Sequence, residues 1–190
     1  MANENDALLV KRCLGGDTPA FEELLDSCKN QVFSLIIRMT GNPQDAEDLA
    51  QETFIKAFRK LDTYDPSYPF LTWLFRIAHN TCVDFLRARK PQALSIDDED
   101  APLEIEDKSD SVEEAVGLKL QQEQAEKLLA SLPPLYREAL LLQYRENLSG
   151  REMAQALGIP EGTVKIRLFR AKALMREKLK ALAGPEPAAR

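Results

Sequence analysis

Ser149–Lys172 reads SGREMAQALGIPEGTVKIRLFRAK, and the fold class turns on how this stretch is parsed. Ser149 with Glu152 has the spacing of a capping box, which predicts a short helix ending near Leu157-Gly158. A longer helix is predicted from about Glu161 to Leu182. Ala154 is small enough for a second helix to cross closely, and Gly158 tolerates the positive φ of a tight turn. Met153, Leu157, Ile159 and Val164 supply the apolar contacts that set the crossing angle. Val164, Leu168, Ala171 and Met175 then share one face of the second helix. Between Thr163 and Lys180 that helix carries Lys165, Arg167, Arg170, Lys172, Arg176, Lys178 and Lys180 against Glu177 alone. This is the pattern of a helix-turn-helix, whose second helix enters the major groove while flanking cations neutralise phosphates. Basic amphipathicity alone would fit equally well a solvated bundle helix, or one that binds an acidic partner. The capping box, the Ala-to-Gly spacing and the Pro-Glu-Gly-Thr turn favour DNA.

The rest of the chain tests whether a nucleic-acid partner is compatible with a net charge of −6 over 190 residues. Residues 1–90 hold 11 Lys/Arg against 13 Asp/Glu, residues 91–115 hold 1 against 10, and residues 116–190 hold 13 against 8. The acidity is thus concentrated in the middle segment PQALSIDDEDAPLEIEDKSDSVEE, and the C-terminal part is basic. That segment has too little apolar surface to offset the entropy of ordering, and it reads as a flexible linker. The expected organisation is two small helical domains, 1–90 and 116–183, joined by an acidic linker at 91–115 and followed by a frayed tail at 184–190.

The first half has helix punctuation. Thr18-Pro19 and Asn42-Pro43 each offer an N-cap followed by proline in the first turn, and Gly41 ends the first of these helices. Ala46, Leu49, Ala50, Phe54, Ala57, Phe58 and Leu61 form an apolar stripe. After the loop DTYDPSYP, a further helix stops before Pro91. In the second half a helix is expected from about Val112 to Ser131 and another up to about Glu146. No segment alternates as a strand would, so the reading is all-α.

Three blocks in order, DAEDLAQETFIKAFRKLDTYDP, FLTWLFRIAHNTCVDFLR and LSGREMAQALGIPEGTVKIRLFRAK, with the acidic segment between the second and third, carry a family resemblance. The chain resembles bacterial RNA polymerase sigma factors of the sigma-70 family, extracytoplasmic-function (ECF) group, over nearly its whole length. The resemblance implies a first domain that docks on the clamp helices of the polymerase β′ subunit and opens the promoter −10 element. It implies a second domain that binds the β flap and reads the −35 element. Core polymerase and promoter DNA are the implied partners, with an anti-sigma factor as the usual restraint. The acidic linker is expected to follow the cationic RNA-exit path.

Carried over residue by residue, the docking segment implies Asp45, Asp48, Gln51 and Glu52, three of them acidic on one helical face. The −10 surface implies Tyr64, Phe70, Trp73, Arg76, Asn80 and Arg87. Strand opening needs aromatic surfaces for an unstacked base and cations for the backbone. Tyr64 stands in the loop expected to capture that base, whereas Trp73, spaced with Ile77, also reads as core. The −35 surface implies Lys165, Ile166, Phe169 and Arg170 in the groove and Thr163, Arg167 and Lys172 at phosphates, with Arg167 also able to brace the fold. Ile166 stands where a small polar residue is common, and would suit a thymine methyl. Lys172 replaces a frequent arginine and cannot reproduce its bidentate contact.

Other functions find little support. No nucleophile–base constellation, Gly-rich phosphate loop or cofactor motif is present, so no enzymatic activity and no cofactor are expected. His79 and Cys82, at i and i+3, would make half a zinc site, but no second pair lies nearby in sequence, and no metal is expected. No stretch is long and apolar enough to span a membrane. Cys13, Cys28 and Cys82 are an odd set, and the N-terminus lacks the pattern of a secretory signal, so reduced thiols in the cytoplasm are expected. A helix-turn-helix regulator independent of polymerase is the main rival, and an adaptor working only through protein contacts is the second.

Overall fold

The computed structural model describes residues 4–89 and 122–183, and among these every regular element is helical. The acidic linker and the C-terminal tail expected from the sequence fall outside the described residues. Eight α-helices occur: α1 Glu4–Leu14, α2 Thr18–Thr40, α3 Pro43–Arg59, α4 Phe70–Arg89, α5 Gln122–Ala130, α6 Pro134–Tyr144, α7 Gly150–Leu157 and α8 Glu161–Ala183. A 3-10 turn, Leu61–Thr63, connects α3 to the loop before α4.

The punctuation explains most boundaries. Asn42 caps α3, its side-chain oxygen accepting from the Gln44 and Asp45 N–H groups at 2.9 and 3.2 Å. Gly41 and Gly158 take the left-handed conformation at φ 71° and 67° and end α2 and α7. The start of α2 differs in detail from expectation. Its cap position is Asp17, not Thr18, and the Asp17 carboxylate is drawn off to Arg12 at 2.7 Å instead of capping. Helix α1 was not anticipated from the sequence. Leu9 and Val10 bury it against α2, and the Asp6 carboxylate accepts from the Phe70 N–H at 3.4 Å, tying it to the first residue of α4. Burial pushes the Asp6 carboxyl above its usual range, and that hydrogen bond partly offsets the effect.

Helices α1–α4 surround a core containing Leu24, Val32, Ile36, Met39, Leu49, Leu74 and Phe75. In the second unit, α5–α8 enclose Leu132, Leu142, Met153, Leu157, Val164, Leu168, Ala171 and Met175. Each of these side chains larger than alanine contributes about 1.5–3 kcal/mol by leaving water. The two units also pack on each other, α4 against α7 and α2 against α6. Periodicity within each half gives no sign of this.

The capping box at α7 forms in full. Ser149 N–H donates to Glu152 Oε2 at 2.8 Å, and Glu152 N–H donates to Ser149 Oγ at 3.3 Å. The Ser149 hydroxyl also donates to that carboxylate and holds its pKa below the usual value. Ser149→Ala is expected to cost about 1 kcal/mol in urea unfolding. Because the folded carboxyl is the stronger acid, its contribution is present above the unfolded pKa and disappears as pH falls through the folded one. The stability gap between wild type and Glu152→Gln should therefore narrow on acidification.

Candidate nucleic-acid interface

Helix α3 turns Ala46, Leu49, Ala50 and Ala57 into the core and leaves Asp48, Gln51 and Glu52 exposed on the outer face. The period of 3.6 residues accounts for this division. Glu52 pairs with Lys56 at 2.7 Å, one turn on. Asp45 is half-buried and receives Arg89 Nη1 of α4 at 2.7 Å, so its charge is already matched inside the unit. Two apolar residues beside the acidic face were not singled out from sequence as surface features. Ile55 is 52% exposed and Phe58 49%, although Phe58 belongs to the expected core stripe and its ring does meet Phe21 edge-on at 5.0 Å. Only Ile55 had a sequence signal for this, since it lies off the expected apolar stripe.

The expected −10 residues divide into two sets. Tyr64, Phe70 and Trp73 form one aromatic cluster, with ring centroids 5.3–5.9 Å apart. Phe70 and Trp73 are buried there, and Tyr64 is half-buried. The Tyr64 hydroxyl donates to the Tyr68 carbonyl at 2.8 Å, and burial pushes its pKa up to about 12. The cluster thus shapes the loop, while Arg76, Asn80 and Arg87 are exposed on α4. Lys56 of α3 donates to Thr81 Oγ1 at 3.2 Å, which with Arg89–Asp45 fixes α4 on α3.

On α8, Val164, Leu168, Ala171 and Met175 are buried as the pattern requires. Lys165 is exposed, Phe169 is 44% exposed, and Thr163, Ile166 and Arg170 are half-buried on the outer side. Arg167 is only 6% exposed, turned inward on α8. Lys172 Nζ lies 5.5 Å from the Tyr144 ring centroid, a cation–π contact within the same unit.

The structure also joins residues that the sequence keeps far apart. His79 Nδ1 lies 2.9 Å from both carboxylate oxygens of Glu138, bridging α4 and α6, and the Glu138 side chain is fully buried. The histidine weighed as a zinc ligand therefore has a carboxylate partner, and Cys82 is a buried thiol whose pKa burial pushes far up. No group of three or more potential ligands is placed to hold a metal among the described residues. Arg38 of α2 pairs with Glu126 of α5 at 2.7 Å, and the Arg137 guanidinium donates to the Arg38 carbonyl. Arg151 of α7 stacks on Tyr68, 5.4 Å from the ring centroid.

Comparison with known proteins bears on what these surfaces serve. Residues 24–92 match the family model Sigma-70 region 2, and residues 122–175 match Sigma-70, region 4. The chain is similar to the ECF RNA polymerase sigma factor SigW of Bacillus subtilis (strain 168), with 36% identity over 181 residues, covering 91% of this chain and 96% of that protein. Among solved structures it is similar to CnrH in complex with the cytosolic domain of CnrY, with TM-score 0.64, 26% identity, and coverage of 93% and 98% of the two chains. It is also similar to the sigma factor RpoE in complex with the anti-sigma factor NepR from Bartonella quintana, with TM-score 0.62, 25% identity, and coverage of 87% and 98%.

Proposed function

Because this chain belongs to the ECF group of the sigma-70 family, we propose that it binds core RNA polymerase and directs promoter-specific transcription initiation with the surfaces described above. Sigma factors regulate initiation without an enzymatic activity of their own, and we assign this chain that role in the cytoplasm. No helix among the described residues is long and apolar enough to cross a membrane.

The assignment is carried by the separation of charge on the two units. Asp48, Gln51 and Glu52 offer an exposed acidic face on α3, whereas Lys165, Phe169 and Arg170 lie on the outer side of a helix-turn-helix. The first face docks on the β′ clamp helices, and the first helices of the second unit meet the β flap. Polymerase then sets the spacing at which α4 meets the −10 element and α8 the −35 element. In this reading Arg76, Asn80 and Arg87 contact the −10 strand. Tyr64, Phe70 and Trp73 hold the loop in which an unstacked base is received, Tyr64 from its partly open side. Lys165, Ile166, Phe169 and Arg170 face −35 bases and Thr163 a phosphate, while Arg167 and Lys172 position α8. The similarity to RpoE held by NepR favours an anti-sigma partner for this chain as well.

Run-off transcription with purified core polymerase and a promoter library tests the reading. Selective transcripts that require the protein are expected, and aligning their upstream sequences defines both elements. Tight binding to duplex DNA by the protein alone, without transcripts, would make it a regulator independent of polymerase. On promoters so defined, Arg170→Ala should weaken −35 recognition by about tenfold, since one specific side-chain contact is worth about 1–3 kcal/mol. The footprint of the holoenzyme at −35 should fade while the −10 contacts remain.

A further inference from the structure

We propose that Asp6 of α1 is a positioning residue for −10 recognition: by capping α4 it fixes the aromatic cluster that presents Tyr64 to an unstacked base. The proposal rests on the sigma-factor reading, which names what the loop receives.

Helix α4 begins at Phe70, directly after Pro69. The first N–H groups of a helix have no partner within it, and a side-chain oxygen just before it or an acid in its first turn usually answers them. Helix α4 supplies neither, because Pro69 has no side-chain acceptor and the first turn holds no acid. The Thr72 and Trp73 N–H groups turn back to the Pro69 carbonyl at 3.0 and 3.4 Å. The Phe70 N–H donates instead to Asp6 Oδ2 at 3.4 Å, across 64 positions. Asp6 is thus the acceptor and the negative charge that this helix end lacks on its own. It lies outside residues 24–92, the part that matches Sigma-70 region 2.

Phe70 also anchors the cluster. Its ring centroid lies 5.6 Å from that of Tyr64 and 5.3 Å from that of Trp73. The Tyr64 hydroxyl closes the loop by donating to the Tyr68 carbonyl at 2.8 Å. A shift in the first turn of α4 would therefore move the surface on which Tyr64 rests. Asp6 is near enough that its charge, after burial, is the next cause of the raised Tyr64 pKa. It acts through Phe70 and not on DNA, since a half-buried carboxylate would repel a phosphate. Stability does not account for it. Burial raises the Asp6 pKa by more than the Phe70 hydrogen bond lowers it. The folded chain then binds that proton more tightly than the unfolded chain, and the ionised side chain weakens the fold at neutral pH.

Run-off transcription by the reconstituted holoenzyme tests this, on a promoter mapped from the library and on versions with each −10 or −35 base replaced in turn. Asp6→Leu, similar in size but without an acceptor, should lose about tenfold of the discrimination at the unstacked −10 base, the worth of one well-placed contact. Penalties for −35 replacements and affinity for core polymerase should stay as in wild type. Asp6→Asn keeps an acceptor and should restore the discrimination. Emission from Trp73, the chain's only tryptophan, should shift to the red in free Asp6→Leu and return in Asp6→Asn. Circular dichroism verifies helix content. If Asp6→Leu loses helix, Asp6→Ala takes its place, lacking an acceptor and adding no bulk. Unchanged −10 discrimination without the acceptor would overturn the proposal, as would equal loss at both elements, no rescue by Asp6→Asn, unchanged Trp73 emission, or loss of helix in both variants. A wild-type chain that yields no selective transcripts would instead sink the initiation reading. The Trp73 shift needs no polymerase, and would still decide whether Asp6 holds the cluster.

Discussion

Asp48→Lys combined with Glu52→Lys is expected to lower polymerase affinity about 100-fold and abolish promoter-specific run-off. Both side chains are exposed one turn apart on the outer face of α3. If that face meets cations on the β′ clamp helices, reversal replaces attraction by like-charge juxtaposition, which costs several kcal/mol. Each 1.4 kcal/mol is tenfold in affinity, so about 3 kcal/mol suffices for the predicted loss. Stability should change little, because neither residue packs in the core and the lost Glu52–Lys56 pair is worth only about 0.2–0.5 kcal/mol. Asp45→Ala should weaken docking less, since Arg89 already holds that carboxylate. Competition binding to labelled core polymerase measures all three. An unchanged affinity for the double variant, with unaltered unfolding, would remove α3 from the docking surface.

Phe75→Ala is expected to be the most destabilising single truncation, about 3–5 kcal/mol in urea unfolding. Phe75 is completely buried on α4, the helix that packs on α2, α3 and α7. Truncation leaves a cavity that several helices would have to close together, so relaxation cannot recover much of the loss. Against a total stability of about 5–15 kcal/mol, the first unit would unfold in a substantial fraction of molecules at growth temperature. Transcription should fall with it and partly return on cooling, which a docking or DNA-contact defect would not do. A cost below about 1.5 kcal/mol would mean that the neighbouring helices collapse into the site.

Much of the architecture was legible because it is encoded locally. Asn42-Pro43, Ser149 with Glu152, and Gly158 act through backbone groups a few residues away, and the boundaries of α3 and α7 follow from them. The faces of α3 and α8 were legible because 3.6 residues per turn divides buried from exposed positions whatever packs against them. Helix α1 escaped notice although Glu4 and Asp6 at its start, Lys11 and Arg12 at its end and Gly15-Gly16 beyond it are local signals, because what holds it is distant: Asp6 reaches Phe70, 64 positions on.

The candidate site divides along the same line. Residue types and their order in three blocks were sufficient for the family, and with it the two DNA elements and the polymerase. Sequence could not distinguish Trp73 and Arg167, both buried, from Asn80 and Lys165, which are exposed. A side chain's surroundings depend on helices that arrive from elsewhere in the chain. Phe58 shows the converse, an apolar residue at core spacing left half in water for lack of a helix over it.

By itself, then, the sequence determined every helix from α2 onward, most of their inward faces, the family and the sign of charge each unit presents, all properties set within a few turns of chain. Only the tertiary structure decided that His79 meets Glu138, that Arg38 meets Glu126, and that α7 lies against α4. Those contacts join residues 59 and 88 positions apart, and neither periodicity nor capping carries information over such a separation. The first is set by burial, since the fully buried Glu138 carboxylate takes its partner from the other unit.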